Sequence, residues 1–236
     1  MIPVGAGASV PAPMRARVSI AIAAVLAAIG LAACGGDDEG SSSQQATEPD
    51  AAGGCTEAEV PEPKRVEFDQ PERVLERGEQ ATATVTTNCG LFAIDLDTRR
   101  SPRTANSFAF LAEEGFYDDT LIHRIAPGFV IQGGDPLGDG TGGPGYAVDE
   151  PPAGAASYLN GVVAMAKTSA EPPGRSGSQF FVVTAPADAG LPPEYAILGE
   201  ISDGLDVVER IGELGDPATE EPLETVVIES VTIERG

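Results

Sequence analysis

Two seven-residue runs limit what this chain can fold into more than any other feature. Ala81-Thr82-Ala83-Thr84-Val85-Thr86-Thr87 reads as a strand, and Gly90-Leu91-Phe92-Ala93-Ile94-Asp95-Leu96 follows it after two residues as the hairpin partner. Alternation puts Phe92, Ile94 and Leu96 on one face and Leu91, Ala93 and Asp95 on the other. A hairpin with one apolar face needs a sheet or helix to cover it. The rest of the chain supplies short pieces, broken up by many of its 29 glycines and 20 prolines, which disfavours a helix bundle. Ser101-Pro102 offers an N-cap with proline at the first helical position. Asn106 to Glu114 continues that helix, with Phe108, Leu111 and Ala112 at helical spacing and Gly115 as its stop. A second helix is signalled by Ser202 or Asp203 as cap, with Leu205, Val208 and Ile211 as its stripe. Val226, Ile228, Val231 and Ile233 close the chain as a strand whose alternation slips at Glu229-Ser230, which predicts a bulge. Many strands with two helices, and no βαβ alternation, point to a mainly β fold: a closed antiparallel barrel or a sandwich with helices at its ends.

Residues 1–33 read as an address rather than as part of that fold. Arg15 and Arg17 precede the uncharged, Ala-rich apolar run from Val18 to Ala33, the form of a secretory signal peptide, with Met1 or Met14 as its start. The run ends Leu31-Ala32-Ala33-Cys34-Gly35, which resembles the bacterial lipobox, in which the cysteine is diacylated and becomes the first mature residue. That implies an extracytoplasmic protein held at the cell membrane through lipid on Cys34. Residues 34–78 then read as lipidated Cys plus a flexible acidic tether, with little to bury, before a globular domain over 79–236. In an exported chain the two remaining thiols, Cys55 and Cys89, are expected to form a disulfide.

The charge excludes one large class of partner. With 14 Lys and Arg against 37 Asp and Glu, the formal net charge is −23, so the chain repels nucleic-acid phosphates. The single histidine, His123, rules out a metal site built on several imidazoles. Other chemistry-bearing patterns fail on inspection. The glycines at 138–145 lack a Gly-Lys-Ser/Thr ending. Asp135 to Gly140 has Leu137 at a ligand position and no closing Glu for a calcium loop. Gly174-Arg175-Ser176-Gly177-Ser178 is not a nucleophile elbow.

One stretch remains unexplained by these classes: Leu121-Ile122-His123-Arg124-Ile125-Ala126-Pro127-Gly128-Phe129-Val130-Ile131-Gln132-Gly133-Gly134-Asp135. A second is Gly177-Ser178-Gln179-Phe180-Phe181-Val182, and between them lie Gly140-Thr141-Gly142-Gly143-Pro144-Gly145-Tyr146 and Val163-Ala164-Met165-Ala166. Four blocks in this order resemble the cyclophilin-type peptidyl-prolyl cis-trans isomerases, from about Thr82 to Ile233. The resemblance implies a closed eight-stranded antiparallel barrel capped by two α-helices, with a peptide groove on its outer face. It makes Arg124 the catalytic residue, and Phe129, Phe181 and Leu191 the pocket for the substrate proline ring, with Val130 beside it. Gln132 would orient Arg124. Gln179 and the backbone around Ala166 and Lys167 would hold the peptide, while His123 lines the groove or positions its neighbours. Tyr195 and Leu198 fall at further groove positions, and Phe180 is expected in the core.

The implied chemistry needs no metal and no cofactor, because no bond breaks. An unpaired guanidinium beside the prolyl nitrogen would favour the twisted amide over either planar isomer. The implied partners are Pro-containing segments of exported proteins, bound by a monomer, and the alternative is a non-catalytic module that binds such segments without turnover. A tryptophan that some members carry at the pocket rim is missing, and Ala189 or Gly190 falls there, which implies weak cyclosporin binding.

Overall fold

The computed structural model describes residues 54–236 except 153 and 155. The expected signal segment, Cys34 and the first part of the expected tether lie outside the described residues. The elements run β1 (Ala81–Thr87), β2 (Gly90–Leu96), α1 (Pro102–Glu113), β3 (Thr120–Ala126), β4 (Val130–Asp135), β5 (Val148–Asp149), β6 (Val162–Met165), β7 (Arg175–Ser176), β8 (Phe180–Val183), β9 (Ile197–Asp203), α2 (Leu205–Gly212) and β10 (Val227–Arg235). Eight of the strands close into an antiparallel barrel in the order β1-β10-β3-β4-β8-β6-β9-β2, and β5 pairs with β7 outside it. Closure leaves no free edge among these eight strands.

The hairpin forms as its alternation dictates. Phe92, Ile94 and Leu96 are buried while Leu91 and Asp95 are exposed. Inside the barrel they meet Ile122, Ile125, Ile131, Val182 and Ile228, and α1 adds Phe108 and Leu111. Each such side chain contributes about 1.5–3 kcal/mol on leaving water. The bulge on the last strand is present: Thr86 pairs with Ser230 and Thr87 with Ile228, so Glu229 has no partner on β1.

The second helix starts later than the sequence suggests. Ser202 and Asp203 belong to β9, with Asp203 opposite Ala93 of β2, so neither caps α2, which follows Gly204. The buried face of α2 is Val207, Val208, Ile211 and Gly212, and Leu205 is exposed rather than part of the stripe.

Residues 54–78 are not a tether but a strap packed along the domain. Cys55 is disulfide-bonded to Cys89 in the hairpin turn, and Thr56 N–H donates to Asn88 O at 2.8 Å. Further along, Lys64 N–H donates to Pro136 O and Phe68 N–H to Pro144 O, each at 2.8 Å. Asn106 Oδ1 on α1 accepts from Val74 and Leu75 N–H at 2.8 and 2.9 Å, and Leu75 is buried. Phe68 packs edge-on against Phe110 at 5.1 Å between ring centroids. Three apolar anchors and main-chain hydrogen bonds hold a segment whose composition gives no hint of burial.

Candidate active site on the outer face of the barrel

Strand pairing assembles the site as a row. Arg124 on β3 lies opposite Gln132 on β4, Gln132 opposite Phe181 on β8, and Phe181 opposite Ala164 on β6. Directly opposed residues share a face, so these four side chains share one side of the sheet. The adjacent row, Ile125, Ile131, Val182 and Val163, turns into the core.

Plain alternation along β3 would not give this result. Ile122 points inward and, without an irregularity, Arg124 would follow it. Ile122 instead pairs with Gly133 and Arg124 with Gln132, which makes His123 an extra residue on β3. The bulge resets the phase, so that Arg124 faces out and Ile125 faces in. A compensating irregularity on β4 falls at Gly134, between Leu121↔Asp135 and Ile122↔Gly133. Gly134 has φ 81°, and a Cβ there would stand 2.7 Å from Ser178 O, so only glycine fits.

Arg124, Phe129, Val130, Gln132, Ala166, Lys167, Phe181, Leu191 and Tyr195 together line a cavity of about 180 Å³. Its floor is a second apolar cluster outside the barrel core, containing Val130, Phe181, Ala164, Val183 and Tyr158, with Phe129, Leu191 and Tyr195 against it. The rings are fixed edge-to-face: Phe181 to Tyr195 at 5.4 Å and Tyr158 to Tyr195 at 6.0 Å. Tyr158 Oη donates to Tyr195 O and accepts from Tyr195 N–H, which locks that loop. Phe180 is fully buried against Phe108 and Tyr117. At the rim, Gly190 has no atom within 4 Å of a Cβ position and Ala189 packs on the outer cluster.

Three expected residues, Leu198, His123 and Gln179, do not line this cavity. Leu198 is fully buried in the barrel interior, because the alternation of β9 turns it inward and gives the groove side to Ile197. His123 does not line the cavity. Both its ring nitrogens are buried without a hydrogen-bond partner. Burial lowers its pKa, against the opposing pull of the Asp135 carboxylate.

The Arg124 guanidinium is not unpaired, contrary to the expectation drawn from mechanism. Its Nε donates to Glu220 Oε2 at 2.6 Å and its Nη1 to Gln132 Oε1 at 3.1 Å. Gln132 Nε2 donates to Gln179 Oε1 at 3.0 Å, and Gln179 Nε2 to the carbonyls of Gly140 and Gly142, each at 3.0 Å. Gln179 thus reaches the cavity only through Gln132, and itself borders a neighbouring space of about 520 Å³. The Asp135 carboxylate holds the 137–140 turn by accepting from Leu137 and Gly140 N–H, and the strap pins the same loop at Pro136 and Pro144. The relay therefore runs from strap to loop to two amides to guanidinium.

Lys167 also differs from a simple backbone contact. Its side chain is 4% exposed, with Nζ 3.0 Å from Glu194 Oε2 and 5.6 Å from the Tyr195 ring centroid. It fastens the 190s loop that carries Leu191 and Tyr195. Glu194, Glu220 and Tyr158 were residues the sequence reading did not name. None of the three lies in a motif, and the partners that define them are distant in sequence.

Comparison with known proteins agrees with this geometry. Residues 82–233 match the family described as cyclophilin type peptidyl-prolyl cis-trans isomerase/CLD. The peptidyl-prolyl cis-trans isomerase B of Streptomyces anulatus is 43% identical over 178 residues, covering 66% of this chain and 98% of that protein. A probable peptidyl-prolyl cis-trans isomerase B of Mycobacterium tuberculosis is 37% identical over 174 residues, covering 64% of this chain and 55% of that protein. The crystal structure of a Cryptosporidium parvum cyclophilin-type isomerase matches with TM-score 0.60 at 29% identity, over 66% of this chain and 99% of that one. A second crystal structure of that parasite protein was determined in the presence of the dipeptide Ala-Pro, with TM-score 0.59.

Proposed function

Since the chain belongs to the cyclophilin-type peptidyl-prolyl cis-trans isomerases, we propose that Arg124 is the group with which it stabilises the twisted prolyl amide, in segments of exported proteins. The isomerisation barrier of about 18–20 kcal/mol comes from amide resonance. As the amide twists, its nitrogen regains a lone pair that a planar amide does not offer. A hydrogen bond made only then lowers the barrier, because it is worth more in the transition state than in either ground state. A guanidinium carries five N–H donors. Glu220 and Gln132 occupy one each, so the remaining ones are available to the bound peptide. Phe129, Phe181 and Leu191 offer an apolar wall for the proline ring while the preceding carbonyl rotates.

The observation that carries this reading is the row itself: a guanidinium held from two sides, next to an aromatic cavity open to solvent. The test is acceleration of cis-trans isomerisation of an Ala-Pro peptide by wild type and by Arg124→Ala. Wild type should accelerate it, and Arg124→Ala should lose about 100-fold, the usual effect of removing such a donor. Full activity in Arg124→Ala would overturn the assignment.

Work on exported clients, from a lipid anchor at Cys34, is supported by the apolar leader and the Leu-Ala-Ala-Cys sequence. The Cys55–Cys89 disulfide fits an oxidising compartment. Radiolabelled palmitate should enter the full chain in cells and fail to enter Cys34→Ser.

A further inference from the structure

Glu220 has an unfavourable backbone and a specific side-chain contact. Its φ is 60°, in the left-handed region that glycine or asparagine enters readily and glutamate does not. The backbone alone would be better served by glycine at this position. What glutamate adds is the carboxylate 2.6 Å from Arg124 Nε, across 96 positions of sequence. The pair is half open to water, with side chains 36% and 42% exposed, so it adds little to global stability.

The surrounding loop is tied to place that carboxylate. Ile125 N–H, the peptide next to Arg124, donates to Glu220 O at 2.9 Å, so main chain and side chain of Glu220 both register on β3. Glu220 N–H donates to Asp216 O at 2.8 Å, and Asp216 Oδ1 accepts from Ala218 and Thr219 N–H. The loop can approach β3 this closely because residue 215 is glycine; a Cβ there would stand 2.2 Å from Ile125 O. Glu220 and Gln132 then hold the guanidinium at two different nitrogens, fixing both its position and its plane.

We infer that Glu220 is a positioning residue for catalysis: it holds the Arg124 guanidinium in its working orientation, and backbone strain at 220 is retained for that purpose. This rests on the reading of Arg124 as the catalytic group. A salt bridge serving only stability would make stability and activity fall together. A positioning residue held in strain makes them move apart.

The experiment compares wild type, Arg124→Ala, Glu220→Gly and Glu220→Gln in three measurements: kcat and KM on an Ala-Pro peptide, the thermal midpoint, and the NMR signal of the Arg124 Nε–H. Glu220→Gly should keep or raise the midpoint, lose about 10-fold in kcat with KM within about twofold, and broaden the Nε–H signal. Glu220→Gln retains an amide oxygen that can accept from Nε, and should recover most of the kcat and the sharp signal. Wild-type kcat in Glu220→Gly, or a signal that stays sharp without the carboxylate, overturns the inference. So does a Glu220→Gly variant whose activity falls only as its midpoint falls. If Glu220→Gly broadens the signal while Arg124→Ala keeps full activity, the catalytic role of Arg124 fails and the positioning contact stands.

Discussion

Removing the Cys55–Cys89 bridge tests how much of this domain's stability lies in a segment that looks dispensable. The two cysteines are 34 residues apart, and the bond closes that loop in the unfolded chain. The loop-closure relation gives an entropy of about −12.6 cal/mol/K, or about 3.8 kcal/mol at 25 °C. For a domain of this size each kcal/mol moves the thermal midpoint by about 2–4 °C. The double variant Cys55→Ala/Cys89→Ala should therefore melt about 8–15 °C below wild type, and reduced wild type should match it. Differential scanning calorimetry with and without reductant measures both. Isomerase activity at 25 °C should stay within about twofold of wild type, because neither cysteine lines the cavity and the remaining strap contacts hold the 136–145 loop. A shift below about 3 °C would refute the entropic argument. A drop in activity with the fold intact would refute the separation of bridge and site.

Two further outcomes follow from the site. His123 is the sole histidine, and burial keeps its folded-state pKa below the usual 6.5. As pH falls below about 6.5 the unfolded chain takes up a proton that the folded chain resists, so stability declines on acidification and is fully retained above that pH. Chemical denaturation between pH 5 and about 7 should show this slope in wild type and a flatter one in His123→Gln; equal slopes would refute it. Phe129→Ala removes a half-buried ring from the cavity wall while the Phe129 carbonyl still accepts from Thr184 and Ala185 N–H. It should raise KM about 10-fold at a stability cost under about 2 kcal/mol, and an unchanged KM in the peptide assay would exclude the ring from proline binding.

Much of the fold was legible because it depends on neighbours in sequence. The hairpin, the first helix from Pro102 to its stop at Gly115, and the slip at Glu229 follow from side-chain period and from Pro and Gly at the helix ends, although Ser101 at the N-cap position makes no side-chain cap hydrogen bond. Nine expected residues line one cavity; Arg124, Phe129, Val130, Gln132, Ala166 and Phe181 lie in the short motifs, whereas Lys167, Leu191 and Tyr195 were placed only by the wider resemblance. The strap was illegible because its anchors, Phe68, Val74 and Leu75, are sparse and their partners lie on α1 and in the 136–145 loop.

The sequence by itself determined which residues alternate, where the first hairpin and the last strand lie, and which side chains could recognise a prolyl peptide. Only the tertiary structure decided which way they point and what holds them. A one-residue bulge at His123 turns Arg124 outward, and the phase of β9 turns Leu198 inward. Barrel closure brings Glu220 onto Arg124 from 96 positions away. The physical reason is that periodicity fixes relative facing only within an unbroken run, while bulges and absolute facing are set by register against strands that meet only when the barrel closes.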